Sequence, residues 1–350
     1  MHVSELETPS ILVDLDLMEA NILRLQSYLS QHGIANRPHI KTHKIPAIAH
    51  LQINAGAVGI TCQKLGEAEV MAEAGIKDIF LPYNIIGAAK LERLMNLARR
   101  RVRMSVTADS EIVVRGLSSA ARGAGLMLPV LVECDTGAKR CGVQSPEAAA
   151  ALARLIARSP GLHFGGFMTY PNSEQLDPFM QAAKRMLAEH GLTVECVSGG
   201  GTPQMWQAHT HRELTEHRAG MYLYGDRYTL RSSAMSLAGC SFKVRATVVS
   251  RPTPDRAILD AGSKTLSSDV LGLEGHGLIT EYPEARIYSL SEEHGHVDLS
   301  ECASQPEIGE EVTIIPNHCC VVTNLANEVV GVRRGEVEVI WPVAARGRVQ

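Results

Sequence analysis

The feature that most restricts the fold is an alternation of two hydrophobic periods from residue 10 to residue 224. Ser10–Asp14 reads as a strand, and residues 17–29, with Met18, Ile22, Leu25 and Leu29 in register, have helical spacing. Strand patterns recur at 39–43, 58–62, 78–82, 102–108, 128–134, 163–170, 193–198 and, more weakly, 218–224. Helical patterns fill the intervals: one opened by Pro46, then 65–74 closed by Gly75, 88–100, 111–121, 146–157 and 178–190. Strands that alternate with helices form parallel βαβ units. Eight or nine such strands suit a closed (β/α)8 TIM barrel in an α/β fold, with an open doubly wound sheet as the alternative. In a barrel, functional residues gather at the C-terminal strand ends. Lys41, Cys62-Gln63, Asp135, Tyr170, Ser198 and Tyr222 all fall there.

The pattern changes near Gly239. Residues 242–249 alternate with period two, and short strand patterns follow at 256–260, 285–290, 311–315, 329–332 and 337–341. Two domains are expected: a barrel over 8–238, and a smaller antiparallel β domain over 239–350 that also takes in residues 1–7. A chain of 350 residues, 45% of them hydrophobic, can bury a full-sized core. A net charge of -4 with no basic block argues against nucleic acid as a partner. No apolar run is long enough for a membrane span, and residues 1–5 lack the basic and apolar regions of a signal peptide, so a cytoplasmic protein is expected. The eight cysteines form no CxxC pair and read mostly as small buried hydrophobes.

Four clusters carry chemistry. In Arg37-Pro38-His39-Ile40-Lys41-Thr42-His43-Lys44, a strand would turn His39, Lys41 and His43 to one face. A lysine desolvated there could act as a nucleophilic amine towards a carbonyl, although the same run would suit a solvated edge strand. Ser198-Gly199-Gly200-Gly201-Thr202 follows a strand and opens a short helix, which suits a phosphate cradle or a plain tight turn. Pro316-Asn317-His318-Cys319-Cys320 would put His318 and Cys320 on one face of a continuing strand. They would make half a site for zinc or a similar ion, or else a buried cysteine pair with a bonded histidine. His294 and His296 could contribute ligands or lie on a surface loop. In Glu133–Gly142, Arg140 could meet a cofactor oxygen or pair with Asp135.

In this order the motifs resemble the D-threonine aldolase/D-serine dehydratase group of alanine-racemase-type, fold-type III pyridoxal phosphate enzymes. The resemblance rests on Thr8-Pro9 with Asp14, residues 38–44, Cys62–Ala68, Asp135–Gly142, Gly199–Thr202 and Ala219–Tyr222. It continues through Asp260–Gly262, Glu293–Gly295, His318–Cys320 and Trp341–Gly347, nearly the whole chain. It implies an alanine racemase-like barrel with a β domain, a homodimer, pyridoxal 5'-phosphate, and a divalent metal (Mn²⁺ or Zn²⁺). Lys41 would be the lysine that carries the cofactor. Gly200, Gly201 and Thr202, with Ser198 and Tyr222, would hold its phosphate end; Tyr170 and Arg140 would contact the ring, with Gln63 near it. His318 and Cys320 would bind the metal beside the substrate's β-hydroxyl.

The implied substrate is a D-3-hydroxy-amino acid. Pyridoxal phosphate stabilises a carbanion at Cα, and a metal on the β-hydroxyl can assist either of two bond cleavages. Loss of the hydroxyl proton, to His43 or to water on the ion, leads to Cα–Cβ cleavage into glycine and an aldehyde. Loss of the Cα proton to Lys41 leads instead to dehydration, giving a 2-oxo acid and ammonia. Aldolases of the group tend to carry His-x-Asp at the metal, whereas this chain has His318-x-Cys320, as the dehydratases do. Phe167–Pro171 also departs from the aldolase pattern, while Cys62-Gln63-Lys64 and Ala344–Gly347 look more like the aldolases. The aldolase reading is preferred, with a D-serine or D-3-hydroxyaspartate dehydratase as the alternative. A racemase using Tyr282 or Tyr288 as second base, and a non-catalytic pyridoxal phosphate-binding protein, are further readings.

Overall fold

The computed structural model describes all of residues 1–350. The chain forms two compact units, Leu25–Lys41 with Pro46–Gly220 and Arg348–Gln350, and Met1–Arg24 with Thr42–Ile45 and Met221–Gly347. No helix is long and apolar enough to cross a membrane.

The first unit is the barrel. Eight parallel strands lie side by side in the order Ala35–Asn36, Glu216–Arg218, Cys196–Gly200, Leu162–Thr169, Leu128–Cys134, Arg103–Ala108, Asp78–Asn84 and Ile60–Thr61. A parallel bridge between His39 and Thr61 joins the two ends of that series. Helices alternate with the strands, and the most amphipathic of them, Glu111–Ala124, buries Val113, Val114, Leu117 and Ala121. Between strands Leu162–Thr169 and Cys196–Gly200 the backbone requires a glycine. Gly166 has φ of +126°, and a Cβ there would stand 2.0 Å from the Cys196 carbonyl oxygen.

A line of buried polar groups crosses the barrel strands. Arg37 donates from Nη1 to Asp78 (2.6 Å) and from Nε to Glu216 (2.6 Å). The other Glu216 oxygen accepts from Ser198 Oγ (2.6 Å), which itself accepts from Arg218 Nη1 (2.6 Å). Arg218 Nη2 then reaches the Thr169 carbonyl oxygen at 3.0 Å. The line starts at Asp78, where its strand begins, and ends at Thr169, where its strand ends.

The second unit carries a nine-stranded sheet. Phe242–Thr253 is its longest strand, paired antiparallel with Arg256–Leu259 and with Glu311–Pro316. Gly277–Ile279, Arg286–Leu290 and Gly295–Asp298 close these into a six-stranded barrel. The antiparallel β domain expected after Gly239 is therefore present, with two short strands (277–279 and 295–298) beyond those read from the pattern.

Three sequence expectations change. Ser10–Asp14 is a strand, but it pairs antiparallel with Phe242–Thr253 and parallel with Glu328–Arg333, so it joins the β unit instead of the barrel. Residues 39–43 form a single bridge and then a turn, not a strand, so His39, Lys41 and His43 do not share a face: both histidines are buried while Lys41 is exposed. Residues 218–224 split into the end of strand Glu216–Arg218 and a 3₁₀ turn, Met221–Leu223.

Breaking a buried ion pair by removing one partner leaves an uncompensated charge, at a cost of roughly 3–5 kcal/mol. Glu216→Ala should therefore destabilise the chain by about that amount, read as a lower denaturant midpoint with an unchanged slope. An unchanged midpoint would show that the polar line contributes nothing to folding.

Candidate active site

In the barrel unit, the residues expected around a cofactor gather at the C-terminal strand ends. Lys41 sits in the turn after the His39 bridge, exposed to solvent. Its side chain is exposed, contrary to the expectation of a lysine desolvated on a continuous strand. The backbone N–H of Lys41 donates to His39 Nδ1 (3.4 Å), which leaves His39 Nε2 as the donor to Gln63 Oε1 at 3.0 Å. Burial first, and then the Lys41 ammonium and the Arg218 guanidinium, hold His39 well below the usual imidazole range, so the ring is neutral. Gln63 is held from behind, its backbone N–H donating to Glu67 Oε2 at 2.7 Å.

The Arg140 guanidinium lies over the Tyr170 ring, 5.1 Å from its centroid. Asp135 is not its partner, because that carboxylate accepts from the backbone N–H groups of Gly137 (2.9 Å) and Lys139 (3.1 Å). Tyr170 in turn backs onto the glycine loop. A Cβ on Gly201 would come within 3.3 Å of the Tyr170 ring, and φ there is +116°.

The loop itself differs from a simple cradle of free N–H groups. Gly200 N–H donates to Asn172 Oδ1 (2.7 Å), and Gly201 N–H points at the Arg218 carbonyl oxygen (3.3 Å). Thr202, buried next in sequence, accepts the Gly220 N–H on its hydroxyl. Ser198 is fully buried and engaged by Glu216 and Arg218, so it supports the loop from below and is not presented to a ligand. Tyr222 is buried in the β unit's 3₁₀ turn.

Sequence reasoning did not single out several neighbours. Arg218 is buried and drawn down to about 10 by burial. His217 is pushed to about 3 by burial and then by Arg218, and its Nδ1 accepts from Asn172 at 3.2 Å. Glu133 ends the Leu128–Cys134 strand region, buried and raised to about 7 by burial, against the pull of Arg140 and with Asp109 adding to the rise. Their only signal in the sequence is a charged or imidazole side chain within a strand, as in Glu216-His217-Arg218.

The β unit holds the second cluster. His318 and Cys320 converge, but not along a strand: the chain turns into the helix Cys319–Leu325, with His318 as its N-cap. Asp226 fixes this start. One of its oxygens accepts the Cys319 N–H (3.0 Å) while the other caps the helix Arg227–Arg231 through Thr229 N–H (2.8 Å). Asn317 is pinned between the Gly275 carbonyl oxygen and Arg227 (2.8 Å each). Cys320 Sγ lies 3.2 Å from Thr42 Oγ1. A hydrogen bond from Cys319, and then His318, hold the Cys320 thiol well below its ordinary range in spite of burial. Burial works against a charged His318, but Cys320 and then Asp269 outweigh it and raise the ring to about 9.

His294 is exposed, and His296 bonds to Ser291 Oγ (2.9 Å); neither joins this cluster. No group of three or more histidine, cysteine or acidic side chains converges as a metal cage. His43, expected as a base, is fully buried, and its Nδ1 accepts the Ile45 N–H at 3.1 Å. In that tautomer the ring offers a proton at Nε2 and does not take one, so the geometry runs against the role of base. Tyr282 donates to Glu310 (2.6 Å) and is raised to about 12 by that bond and by burial, while Tyr288 is exposed.

A parallel eight-stranded barrel joined in one chain to an antiparallel β unit is the architecture of alanine-racemase-type proteins. The chain matches the alanine racemase N-terminal domain model over residues 13–228 and a serine dehydratase domain model over 241–332. It is 36% identical to the D-threonine aldolase of Arthrobacter sp. over 99% of this chain and 94% of that one. The structure of D-threonine aldolase from Filomicrobium marinum superposes with a TM-score of 0.92 at 33% identity, covering 99% and 98% of the two chains. D-threo-3-hydroxyaspartate dehydratase from Delftia sp. HT23 gives 0.87 at 27% identity, over 97% and 98%. That dehydratase has also been solved as a cysteine-to-alanine mutant in a metal-free form. The chain belongs to the D-threonine aldolase/D-serine dehydratase family of alanine-racemase-type proteins.

Glu133 supplies a pH test of this geometry. A carboxyl whose folded pKa stands above its unfolded value binds more protons when folded. Stability is then greatest below about pH 4.5 and falls as the pH rises towards 7. Glu133→Gln cannot ionise. Without added cofactor it should match the wild type at pH 4 and exceed it at pH 8 by up to roughly 3 kcal/mol, at about 1.4 kcal/mol per pKa unit. A difference of the same size at both pH values in denaturant melts would contradict the assignment.

Proposed function

We propose that this chain is a pyridoxal phosphate- and divalent-metal-dependent lyase of D-3-hydroxy-amino acids, cleaving them to glycine and an aldehyde. The observation that carries the reading is the match to D-threonine aldolases over both units, in sequence and in structure. The residues present fit both groups. The barrel unit offers an exposed primary amine beside a neutral imidazole, and a glycine loop in which a Cβ on Gly201 would crowd Tyr170. The β unit offers an imidazole and a low-pKa thiol, a donor pair suited to Zn²⁺ or Mn²⁺ that leaves positions open for substrate.

When bound, pyridoxal phosphate supplies an electron sink for charge at Cα, and the metal a Lewis acid at the β-hydroxyl. Lys41 is the residue that would carry the cofactor. Thr202, in the loop shaped by Gly200 and Gly201, would hold its phosphate end, with Arg140, Tyr170 and Gln63 around the ring. Neutral His39 adds no second positive charge beside Lys41. His318 and Cys320 would bind the ion. The racemase reading lacks a free second base at Tyr282, whose hydroxyl is engaged by Glu310. We place the protein in the cytoplasm, as a homodimer.

The dehydratase reading is favoured by the His318-x-Cys320 pair and by the relative from Delftia. Product identification separates the two. With D-threonine, pyridoxal phosphate and Mn²⁺, glycine and acetaldehyde are expected; 2-oxobutanoate and ammonia without glycine would reject the aldolase. Lys41→Ala should lose the visible absorbance of lysine-bound cofactor, and retention of that band would move the assignment to another lysine. His318→Ala and Cys320→Ala should each lower activity at least 100-fold and make the remainder insensitive to EDTA. Wild-type activity that EDTA leaves unchanged would remove the metal from the account.

A further inference from the structure

His318 makes a second contact that the metal reading does not use. Its Nδ1 stands 2.8 Å from Asp269 Oδ2. A ring nitrogen bonded to a carboxylate carries the proton, so the lone pair is left on the other nitrogen. Here that other nitrogen is Nε2. The same contact fixes the plane of the ring.

The Asp269 carboxylate is itself built in. Its Oδ1 accepts the Leu271 N–H (3.3 Å), and its own N–H donates to Ser267 Oγ (3.1 Å). Ser267 follows the helix Ser263–Leu266 with φ of +68°, and Leu271 has φ of +47°. Positive φ at two non-glycine residues is costly and persists only where the surroundings enforce it. Both oxygens of Asp269 are therefore committed, one to the loop and one to His318. No group of three or more ligand-type side chains gathers there.

We propose that Asp269 is the positioning residue of the metal centre: it holds His318 in the tautomer and orientation that present Nε2 to the ion. The inference rests on the metal reading above. It makes affinity for the ion, and not only turnover, depend on a residue 49 positions away in sequence. Carboxylates behind metal-bound histidines typically alter metal affinity 10–100-fold.

The test uses the full chain loaded with pyridoxal phosphate and stripped of metal. Mn²⁺ is titrated and free ion read by electron paramagnetic resonance. Asp269→Ala should raise the Mn²⁺ dissociation constant 10–100-fold, and saturating Mn²⁺ should restore most of kcat. Asp269→Asn, whose amide oxygen still accepts from Nδ1, should bind within a few-fold of wild type. If the alanine variant folds, as judged by circular dichroism, and binds Mn²⁺ as wild type does, the proposal is overturned. Should it not fold, ¹⁵N spectra of histidine-labelled wild type with Zn²⁺ decide. Nδ1 must keep its proton with Nε2 as the ligand, and a metal-bound Nδ1 overturns the proposal. A wild type that binds neither ion ends the metal reading itself, and this inference with it.

Discussion

Burying charge inside a barrel costs several kilocalories per mole for each ion unless partners and hydrogen bonds satisfy it. The line from Asp78 through Arg37, Glu216 and Ser198 to Arg218 meets that condition at every step. It ties together strands far apart in sequence, since Arg37 and Glu216 are 179 residues from each other. It also fixes Arg218, whose carbonyl oxygen receives the Gly201 N–H and whose charge depresses both His39 and His217. The electrostatics around Lys41 and the shape of the glycine loop thus both depend on an ion-paired interior.

The β unit solves a different problem, which is to keep two reactive side chains together without a cage. Asp226 caps two helix starts at once, and Asn317, just before His318, is locked by Gly275 and Arg227. Cys320 then stands at the first turn of its helix, where Cys319 and then His318 lower its thiol in spite of burial. On the proposed metal reading, His318 and Cys320 would leave the rest of an ion's coordination to small molecules. That suits chemistry on a substrate alcohol better than a structural role, and it serves cleavage and dehydration equally. The choice between them therefore falls on groups around the substrate, which is why the His-x-Cys pair alone does not decide it.

Much of the architecture was legible because it is periodic. The strand at 128–134 was read to the residue, and the helices near 46, 65, 88, 111, 146 and 178 lie where the spacing puts them. The errors arose where tertiary pairing overrides local pattern. Ser10–Asp14 is strand-like in isolation, and only its partners at 242–253 and 328–333 reveal which sheet it enters. Residues 39–43 have strand composition but end in a turn, because only His39 has a neighbour to pair with. For the site, Lys41, Gln63, Arg140, Tyr170, His318 and Cys320 were visible as chemistry-bearing residues in short motifs. Asp269, Asp226 and Arg218 were not, since each acts through a partner that sequence spacing cannot supply.

The central claim is that Lys41, the exposed amine in the turn after His39, is the one that takes up pyridoxal phosphate. Reduction of the cofactor-loaded protein with borohydride, followed by digestion and peptide mass mapping, tests it directly. The account predicts one pyridoxyl adduct per chain, on Lys41. An adduct on any other lysine with Lys41 unmodified, or no adduct at all, would contradict it.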